Sequence, residues 1–460
     1  MNSFQRVLNT RLMKIKELQK WDYLFLFVIL VLYSFAFLLL FNRGLIFCAD
    51  TVGYLHYYSS QPPLYPLLII ICKLIAGSGY ETALLAIQIS LGLIAITVFS
   101  FFLYKQFSLN KWIVLLFSII LFEPYLFGLQ TGNNEATESL AYPLFLFTMK
   151  YLLEGIKEKS LRKFALSFVF ASLLILTRTQ FVFLYPLYAI SLLYLLVFTT
   201  MDKHRIMKLG IIFIAFIIGT FLLNKTYHYI RAGTFSAPTS GFQLAANAMY
   251  VSSIHDSTLF SDKEEKAIFI EIMRVAEKNQ LTKSSSNDAS DSHYFFSYTS
   301  LAILIQETFQ HRYKPETVAD SIASAKEYNY KYLKNNDLIA IEGKMTRSMS
   351  KKLLIHNWKQ FSRLVLKTVS YELGYPPGLI WKVAIGIGLI ILFITGKRSY
   401  ELTILLIAVL SHILNLCLVA SVEHMLTRFS FYTDILVFVL FMSVLFSFLE
   451  KKTVFTDLTS

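Results

Sequence analysis

The sequence predicts an all-α, polytopic membrane protein, and two properties of its composition support this prediction. The chain of 460 residues is 55% hydrophobic and only 16% charged, whereas soluble domains carry about 25% charged residues. The apolar residues also form repeated runs of roughly 17 to 24 residues almost without charge, the length that a helix needs to cross about 30 Å of hydrocarbon. A large soluble protein with buried helices is disfavoured, because no soluble core hides this many uncharged runs.

Ten of these runs are predicted to span the membrane. They lie at about 23–42, 82–104, 112–128, 137–154, 164–178, 180–199, 208–230, 377–395, 401–420 and 431–449. A further run at 63–79 is short and contains Lys73, so we predict that it lies at the outer interface or dips into it. The runs on either side of Arg178 require a very tight turn at Arg178–Gln180.

The charged residues between the runs predict the orientation of the chain. With a cytoplasmic N-terminus, the cytoplasmic segments carry Lys105, Lys111, Lys157, Lys159, Arg162, Lys163, Lys203, Arg205, Lys208, Lys397, Arg398, Lys451 and Lys452. The short outer segments carry only Arg43, Arg178 and Arg428. This is the positive-inside distribution, so both termini are predicted to be cytoplasmic. It also accounts for the net charge of +13 without nucleic acid as a partner.

One long stretch, about 231–376, is polar and mixed, and the orientation places it outside as a mostly helical extracytoplasmic domain. Asp262–Gln280 is predicted to be an amphipathic helix, and Pro315–Asn336 a further helix. Lys351–Leu373 alternates apolar and basic residues, which suits a helix on the bilayer surface or, alternatively, one packed on the domain's own core. The predicted organisation is an N-terminal membrane module at 1–230, the extracytoplasmic domain at 231–376 and C-terminal membrane helices at 377–460.

The three cysteines, Cys48, Cys72 and Cys417, have no metal-binding spacing, so neither a metal site nor a structural disulfide is predicted. No P-loop and no glycine-rich dinucleotide turn occurs either. Whether a divalent metal assists the chemistry is left open by the sequence.

Three outer loops carry the candidate chemistry. The first has Asp50 just after the first span, where a carboxylate is most often simply solvated. The second has Glu135 and Glu138, which could equally stabilise the start of the next helix. The last has Arg428, which can bind a phosphate through two parallel hydrogen bonds or extend along the interface. Acids and an arginine gathered on one face suit an enzyme acting on a lipid-borne phosphate compound.

Four short motifs resemble those of the GT-C superfamily, the glycosyltransferases that use polyprenyl-phosphate sugars and include protein O-mannosyltransferases and aminoarabinose transferases. The motifs are Asp50 with Tyr54, Gln61–Leu68 (similar to Pro-Pro-Leu-Tyr-x-Leu-Leu), Thr137–Leu140, and Thr427–Phe429 with Tyr432. The resemblance covers most of 20–230 and the last two spans. It departs from the family at Gln61, where many relatives carry lysine, and at Phe429, where they carry tyrosine.

The resemblance implies inverting transfer of a sugar from a polyprenyl-phosphate donor to an extracytoplasmic glycan, lipid or protein acceptor, in a bacterial inner membrane. Asp50 is then the base or the group that orients the acceptor hydroxyl. Glu135, Glu138 and Tyr54 are expected to position the acceptor. Arg428 is expected to stabilise the leaving lipid phosphate, with Lys73 or Arg178 in place of the lysine missing at position 61.

Two other functions stay open. A polysaccharide ligase or polymerase of another membrane fold would depend on histidines of the large outer segment, such as His255, His293 or His311. A transporter or an assembly scaffold would carry polar residues near the middle of the bilayer. The spans here are largely without such residues, with Lys382 and His412 as the main exceptions.

Overall fold

The computed structural model of the chain describes residues 20–48, 51–55, 61–126, 129–199, 201–232, 235, 241–285, 291–313, 336–374, 386, 399–422 and 427–457. Within these ranges the regular structure is helical, and no β-strand is formed. The β-type contact that they contain is a single parallel bridge between Ile46 and Asn134. The prediction of an all-α protein is therefore confirmed.

The helices of the described residues are numbered here in chain order. They are α1 (Lys20–Arg43), α2 (Thr51–Leu55), α3 (Leu64–Ala76), α4 (Tyr80–Phe107), α5 (Lys111–Leu126), α6 (Thr137–Glu158), α7 (Leu161–Thr177), α8 (Leu184–Phe198), α9 (Lys203–Ala232), α10 (Phe242–Tyr250), α11 (Lys263–Lys278), α12 (Asp291–Tyr313), α13 (Asn336–His356), α14 (Trp358–Gly374), α15 (Tyr400–Val422) and α16 (Thr427–Asp457). Short 3₁₀ helices lie at Gly77–Gly79, Thr179–Phe183 and Ile254–Leu259.

The chain is embedded in a membrane, as its long apolar helices show. Within the described ranges, five helical stretches are long and apolar enough to cross a bilayer: Leu64–Phe107, Thr179–Phe198, Lys203–Arg231, Tyr400–Val422 and Phe429–Leu449. Along α9, the large apolar side chains of Ile211, Ile214, Ile218 and Phe221 are all exposed. A continuous apolar stripe of this kind is unfavourable in water, and lipid tails solvate it.

The predicted runs coincide with helices wherever they fall in the described part of the chain, whereas 377–395 lies outside it except for residue 386. The tight turn at Arg178 is confirmed, because this residue is extended between α7 and the 3₁₀ helix at Thr179–Phe183. The run at 63–79 is a helix of its own, α3, separated from α4 by a turn in which Gly77 has a φ of +55°. The number of membrane crossings stays a prediction.

The chain forms two compact units, each described here by itself. The first contains Met1–Thr51, Leu67–Phe170 and Ile435–Ser460. Its centre is α6, which is buried at every residue from Thr137 to Met149. The second unit contains Val52–Pro66 and Ala171–Asp434. The division into three parts at 1–230, 231–376 and 377–460 was based on the predicted membrane spans, whereas these two units are defined by contacts between residues. The three-part division stays a prediction.

In the first unit, α4 and α5 approach each other closely at Gly92. The hydroxyl of the fully buried Tyr125 donates a hydrogen bond to the carbonyl oxygen of Gln88, at 2.6 Å, and the ring of Tyr125 covers Gly92. A Cβ atom on Gly92 would lie 2.2 Å from Cζ of Tyr125. The absence of a side chain at position 92 is therefore required for this contact.

We expect Gly92→Ala to lower the free energy of unfolding by about 1–3 kcal/mol, because the added methyl group must displace a buried and hydrogen-bonded ring. Thermal unfolding of the full chain in detergent measures the effect. Gly219→Ala in α9 is the matched control, since a Cβ atom there meets nothing within 4 Å. An equal melting temperature for Gly92→Ala and Gly219→Ala would contradict the packing argument.

In the second unit, helices α10 to α14 pack around a common apolar core that includes Ile268, Ile305, Leu353 and Leu364. The amphipathic helix predicted at Asp262–Gln280 is confirmed as α11. The carboxylate of Asp262 caps it, accepting hydrogen bonds from the backbone N–H groups of Glu264 and Glu265.

The helix predicted at Lys351–Leu373 is interrupted at Asn357, between α13 and α14. The sequence left two positions open for this helix, the bilayer surface and the domain's own core. Packing on the core is confirmed for Leu353 and Leu364. The helix predicted at Pro315–Asn336 lies outside the described residues, except for Asn336 at the start of α13.

Candidate functional site

The first two loops that the sequence predicts to be outer are hydrogen-bonded to each other in the first unit. The N–H group of Ile46 donates to the carbonyl oxygen of Asn133, at 2.8 Å, and the N–H group of Glu135 donates to the carbonyl oxygen of Ile46, at 2.9 Å. These two bonds form the parallel bridge that was noted above. The segment that follows α1 is therefore held against the segment that precedes α6.

The side chain of Asn133 stabilises this arrangement through hydrogen bonds to the end of α1. This side chain is fully buried, and its amide nitrogen Nδ2 donates to the carbonyl oxygens of Leu40, at 2.6 Å, and Gly44, at 2.7 Å. Gly44 has a φ of +73°, the left-handed conformation that glycine adopts without strain. Both carbonyl groups belong to the C-terminal end of α1 and the turn after it, where helix carbonyls have no partner within the helix.

We expect Asn133→Ala to destabilise the chain by about 1–3 kcal/mol, because two carbonyl oxygens lose their donor in a buried place. The midpoint of thermal unfolding in detergent measures the loss. Asn42→Ala is a suitable control, since Asn42 is exposed in the last turn of α1. If both variants melt together with the wild type, Asn133 does not hold the end of α1.

The residue that follows Asp50 contacts the second loop directly. The hydroxyl of Thr51 donates to the carbonyl oxygen of Glu135, at 2.9 Å, and accepts a hydrogen bond from the N–H group of Cys48, at 2.8 Å. Thr51 is buried and begins α2. Asp50 itself lies outside the described residues, but its neighbour in the chain is bonded to the residue that carries the second candidate acid.

The carboxyl group of Glu135 is the most unusual group in this part of the chain. Glu135 is fully buried, and neither carboxyl oxygen has a hydrogen-bond partner among the described residues. The pKa of this carboxyl is raised from 4.5 to about 7, mainly by burial and also by the negative charge of Glu81, against the opposing effect of Lys73. A group of this kind can bind or release a proton near neutral pH, which is typical of functional sites.

Helix capping does not account for the carboxyl group of Glu135. Glu135 precedes the N-cap residue Ala136, which is followed by α6. An acid that caps a helix accepts hydrogen bonds from the first backbone N–H groups, and the carboxyl oxygens of Glu135 accept none from the described residues. Glu138 lies in the first turn of α6, is also buried, and accepts a hydrogen bond from the hydroxyl of Thr137 at 3.3 Å. Stabilisation of the helix start remains a sufficient role for Glu138.

Lys73, which was predicted to bind phosphate, acts on the second loop. It lies near the end of α3, with its ammonium group 4.9 Å from the centre of the Tyr80 ring. Its charge lowers the pKa of the Glu135 carboxyl. No local sequence pattern indicates this electrostatic effect, because the two residues are far apart along the chain.

Tyr54 belongs to the second unit, as does the Pro-Pro segment of the first loop. Its ring is buried and packs edge-on against the ring of Tyr65, with the ring centres 5.1 Å apart. Two of the aromatic residues of the first-loop motifs are therefore packed together.

The second unit contains the arginines that were predicted to bind phosphate. The guanidinium group of Arg178 lies 4.9 Å from the centre of the Phe429 ring, a cation–π arrangement. Gln180 accepts a hydrogen bond from Arg178 and donates one to the carbonyl oxygen of Phe429, at 3.2 Å. Arg428 stands beside Phe429 in α16, and its side chain lies outside the described part. Arg178 thus contacts Phe429, the residue next to Arg428 in the chain.

A buried polar cluster supports the start of α16. The side-chain nitrogen of Asn415 donates to the carbonyl oxygen of Phe429, at 2.8 Å. One turn earlier on α15, His412 contacts the hydroxyl of Thr433, at 2.9 Å, and the carboxylate of Asp434, at 3.5 Å. The sequence interpretation noted His412 but missed Asp434 as its partner. The spacing of His412 and Asn415, three residues apart on one helix face, was the available signal.

Independent comparisons add no further evidence for a site. No family model, curated protein or solved structure matches the chain. Within the described ranges, no group of three or more histidine, cysteine, aspartate or glutamate side chains could hold a metal ion. The candidate groups for chemistry therefore lie in the two loops around Glu135 and at the contact between Arg178 and Phe429.

Proposed function

We propose that the protein is a membrane glycosyltransferase that moves a sugar from a polyprenyl-phosphate donor to an extracytoplasmic acceptor. One observation carries this proposal. Glu135 holds a buried carboxyl group without a hydrogen-bond partner among the described residues, and its backbone is bonded to Thr51, the neighbour of Asp50. The backbone of Glu135 thus lies beside the residue that follows Asp50, which supports a shared role for the two acids in binding an acceptor hydroxyl and removing its proton.

Asp50 has the role of base in the proposed reaction. The acceptor hydroxyl attacks the anomeric carbon of the donor, and its proton passes to the carboxylate of Asp50. The new carbon–oxygen bond forms as the bond to the lipid phosphate breaks, so the configuration at the anomeric carbon is inverted. Glu135 positions the acceptor through its carboxyl group, together with Glu138 and Tyr54.

Arginine side chains stabilise the leaving phosphate in the proposed reaction. Negative charge builds up on the phosphate as its bond to the sugar breaks, and preorganised cations stabilise that charge. Arg428 and Arg178 are assigned this role, and the stacking of Arg178 on Phe429, beside Arg428, supports the pairing. Lys73 is assigned to the same class of contact because of its positive charge.

The proposed orientation rests on the distribution of Lys and Arg between the apolar runs. It gives about ten spans with cytoplasmic termini, in a bacterial inner membrane, and loops around Asp50 and Glu135 that face away from the cytoplasm. Soluble nucleotide sugars are made in the cytoplasm, so a lipid-linked donor fits this orientation better. The acceptor is an envelope glycan, a lipid or a protein.

The test is sugar transfer by the purified full chain in nanodiscs. Radiolabelled polyprenyl-phosphate sugars are added with membranes from a strain that lacks the gene, which supply the unmodified acceptor. We expect label to move from the donor to an acceptor that mass spectrometry identifies. Absence of transfer with every donor overturns the proposal. Loss of transfer in His255→Ala, His293→Ala or His311→Ala but not in Asp50→Asn would favour a ligase or polymerase.

A further inference from the structure

A long basic segment lies in the second unit, outside the proposed site. Residues 343–371 contain no aspartate or glutamate, whereas they contain seven lysines and arginines: Lys344, Arg347, Lys351, Lys352, Lys359, Arg363 and Lys367. In soluble surfaces, charges of both signs are usually interspersed. This segment, which spans most of α13 and α14, therefore has a charge pattern that needs a specific explanation.

Three of these cations form a stripe on α14. Lys359, Arg363 and Lys367 are exposed and follow one another at intervals of four residues, so they lie along one face of the helix. Leu366 lies on this same face, with 63% of its surface exposed. We call Lys359, Arg363, Leu366 and Lys367 the basic face of α14.

Large apolar side chains adjoin the basic face. Trp358, at the start of α14, is 58% exposed, and Ile355, at the end of α13, is 67% exposed. Tryptophan is enriched where proteins meet the boundary between lipid and water, because its ring is apolar and its N–H group is polar. Exposed cations beside exposed apolar groups are typical of helices that lie in the membrane interface.

The opposite face of α14 packs on the end of a membrane span. Val365 and Val369 contact Leu416, Cys417 and Ala420, which lie in the last two turns of α15. α15 is one of the helices long and apolar enough to cross the bilayer. The contact therefore places α14 at the level where this span ends, which is the level of the lipid headgroups.

A second contact ties the same domain to this end of α15. The side-chain nitrogen of Asn247, in α10, donates to the carbonyl oxygen of Ser421 at 3.3 Å, and Asn247 is itself held by the hydroxyl of Tyr294 at 2.7 Å. Two separate helices of the domain thus rest on the last turns of one span. The height of the domain relative to the bilayer is set by both of them.

The corner between α13 and α14 fixes the direction of the basic face. The buried side chain of Asn357 donates to the hydroxyl of Ser252, at 3.1 Å, and to the carboxylate of Asp256, at 3.0 Å. These bonds join the corner to the core of the domain. The start of α14, and with it the direction of the basic face, is therefore fixed relative to this core.

We propose that the basic face of α14 binds the anionic phospholipid headgroups of the bilayer in which α15 is embedded. The cations supply charge complementary to phosphate, and Trp358 and Leu366 supply the apolar contacts that a soluble anionic polymer would not use. The position at the end of α15 brings the face to the headgroups without further movement. This proposal is independent of the reaction proposed above.

Binding of phosphatidylglycerol to the purified full chain in detergent micelles tests the proposal, with native mass spectrometry as the readout and phosphatidylcholine as the uncharged comparison. A cation near an anionic surface strengthens binding about fivefold. We therefore expect the triple variant Lys359→Gln, Arg363→Gln, Lys367→Gln to weaken phosphatidylglycerol binding about 100-fold, and Arg363→Gln alone about fivefold. Phosphatidylcholine binding is expected to stay the same.

The matched control removes the same charge from another surface of the same domain. Lys263, Arg274 and Lys278 are exposed on α11, and their triple replacement by Gln is expected to leave phosphatidylglycerol binding unchanged. Equal phosphatidylglycerol binding by the wild type and the α14 variants, with normal melting temperatures, overturns the proposal. Preference of the wild type for soluble dextran sulfate, with no gain from phosphatidylglycerol over phosphatidylcholine, also overturns it, since the face would then bind a polymer in water.

Discussion

Replacement of Asp50 by Asn is expected to lower the turnover number of sugar transfer about 10²–10⁴-fold, while donor affinity changes little. Asparagine keeps the size of the side chain but cannot accept the proton of the acceptor hydroxyl, and a general base contributes a factor of this size. Initial rates with a radiolabelled polyprenyl-phosphate sugar, measured in nanodiscs over a range of donor concentrations, separate turnover from affinity.

Glu123→Gln is the matched control for Asp50→Asn. Glu123 lies near the end of α5 in the first unit, and it is exposed. Its replacement removes one acid without touching the buried carboxyl group of Glu135, so transfer should proceed at the wild-type rate. An unchanged turnover number in folded Asp50→Asn protein would remove Asp50 as the base.

Replacement of Glu135 by Gln is expected to raise stability and lower activity together. The pKa of the carboxyl is raised from 4.5 to about 7 in the folded chain. A raised carboxyl pKa means that stability falls as pH rises from 4.5 to 7 and then stays low, by an amount on the order of 3 kcal/mol. Gln removes this cost, so the variant should melt higher than the wild type at pH 8 and equally at pH 4.

The same variant should lose transfer activity, because the amide of Gln replaces the carboxyl oxygens with which Glu135 is proposed to position the acceptor. Sites that bind substrate commonly contain groups that are unfavourable for folding, and their removal stabilises the chain at the expense of function. Melting temperature and transfer rate are measured on the same nanodisc samples across pH 5 to 8. A variant that melts higher at pH 8 and still transfers sugar at the wild-type rate would mean that Glu135 has no part in the reaction.

Glu342 provides the matched comparison in the second unit. It is fully buried in α13, its carboxyl oxygens have no hydrogen-bond partner among the described residues, and burial raises its pKa to about 8. Glu342→Gln should therefore also stabilise the chain above pH 8, by an amount on the order of 5 kcal/mol. Glu342 has no assigned part in the reaction, so transfer should be unchanged. The difference in transfer rate between Glu135→Gln and Glu342→Gln therefore separates a role in the reaction from the general effect of removing a buried carboxyl group.

The sequence predicted the helices because their signals are local. An uncharged run is long enough for a span by itself, and the pattern of Asp262–Gln280 contains both its apolar face and its N-cap. The tight turn at Arg178 followed in the same way, because a single residue separates the runs at 164–178 and 180–199. None of these predictions depends on which residues form tertiary contacts.

The contacts around the site could not be predicted from the sequence, because they join residues that are far apart along the chain. The bond between Thr51 and the carbonyl oxygen of Glu135 spans 84 positions, and no local pattern indicates it. The break at Asn357 was missed for the same reason, since it depends on Ser252 and Asp256 and not on a neighbouring glycine or proline. The contact between the two loops and the break between α13 and α14 therefore depend on tertiary contacts, which the pattern of a single segment does not contain.

The two anchors of the first loop also limit how the chain can vary. Ile46 and Thr51 are both bonded to the short segment 133–135, so the five-residue step between them has a set length. An insertion between the two anchors would have to be accommodated without moving either bond. Distant relatives would then share this spacing, and an Asn two positions before the second-loop acid, more faithfully than they share the sequence around them.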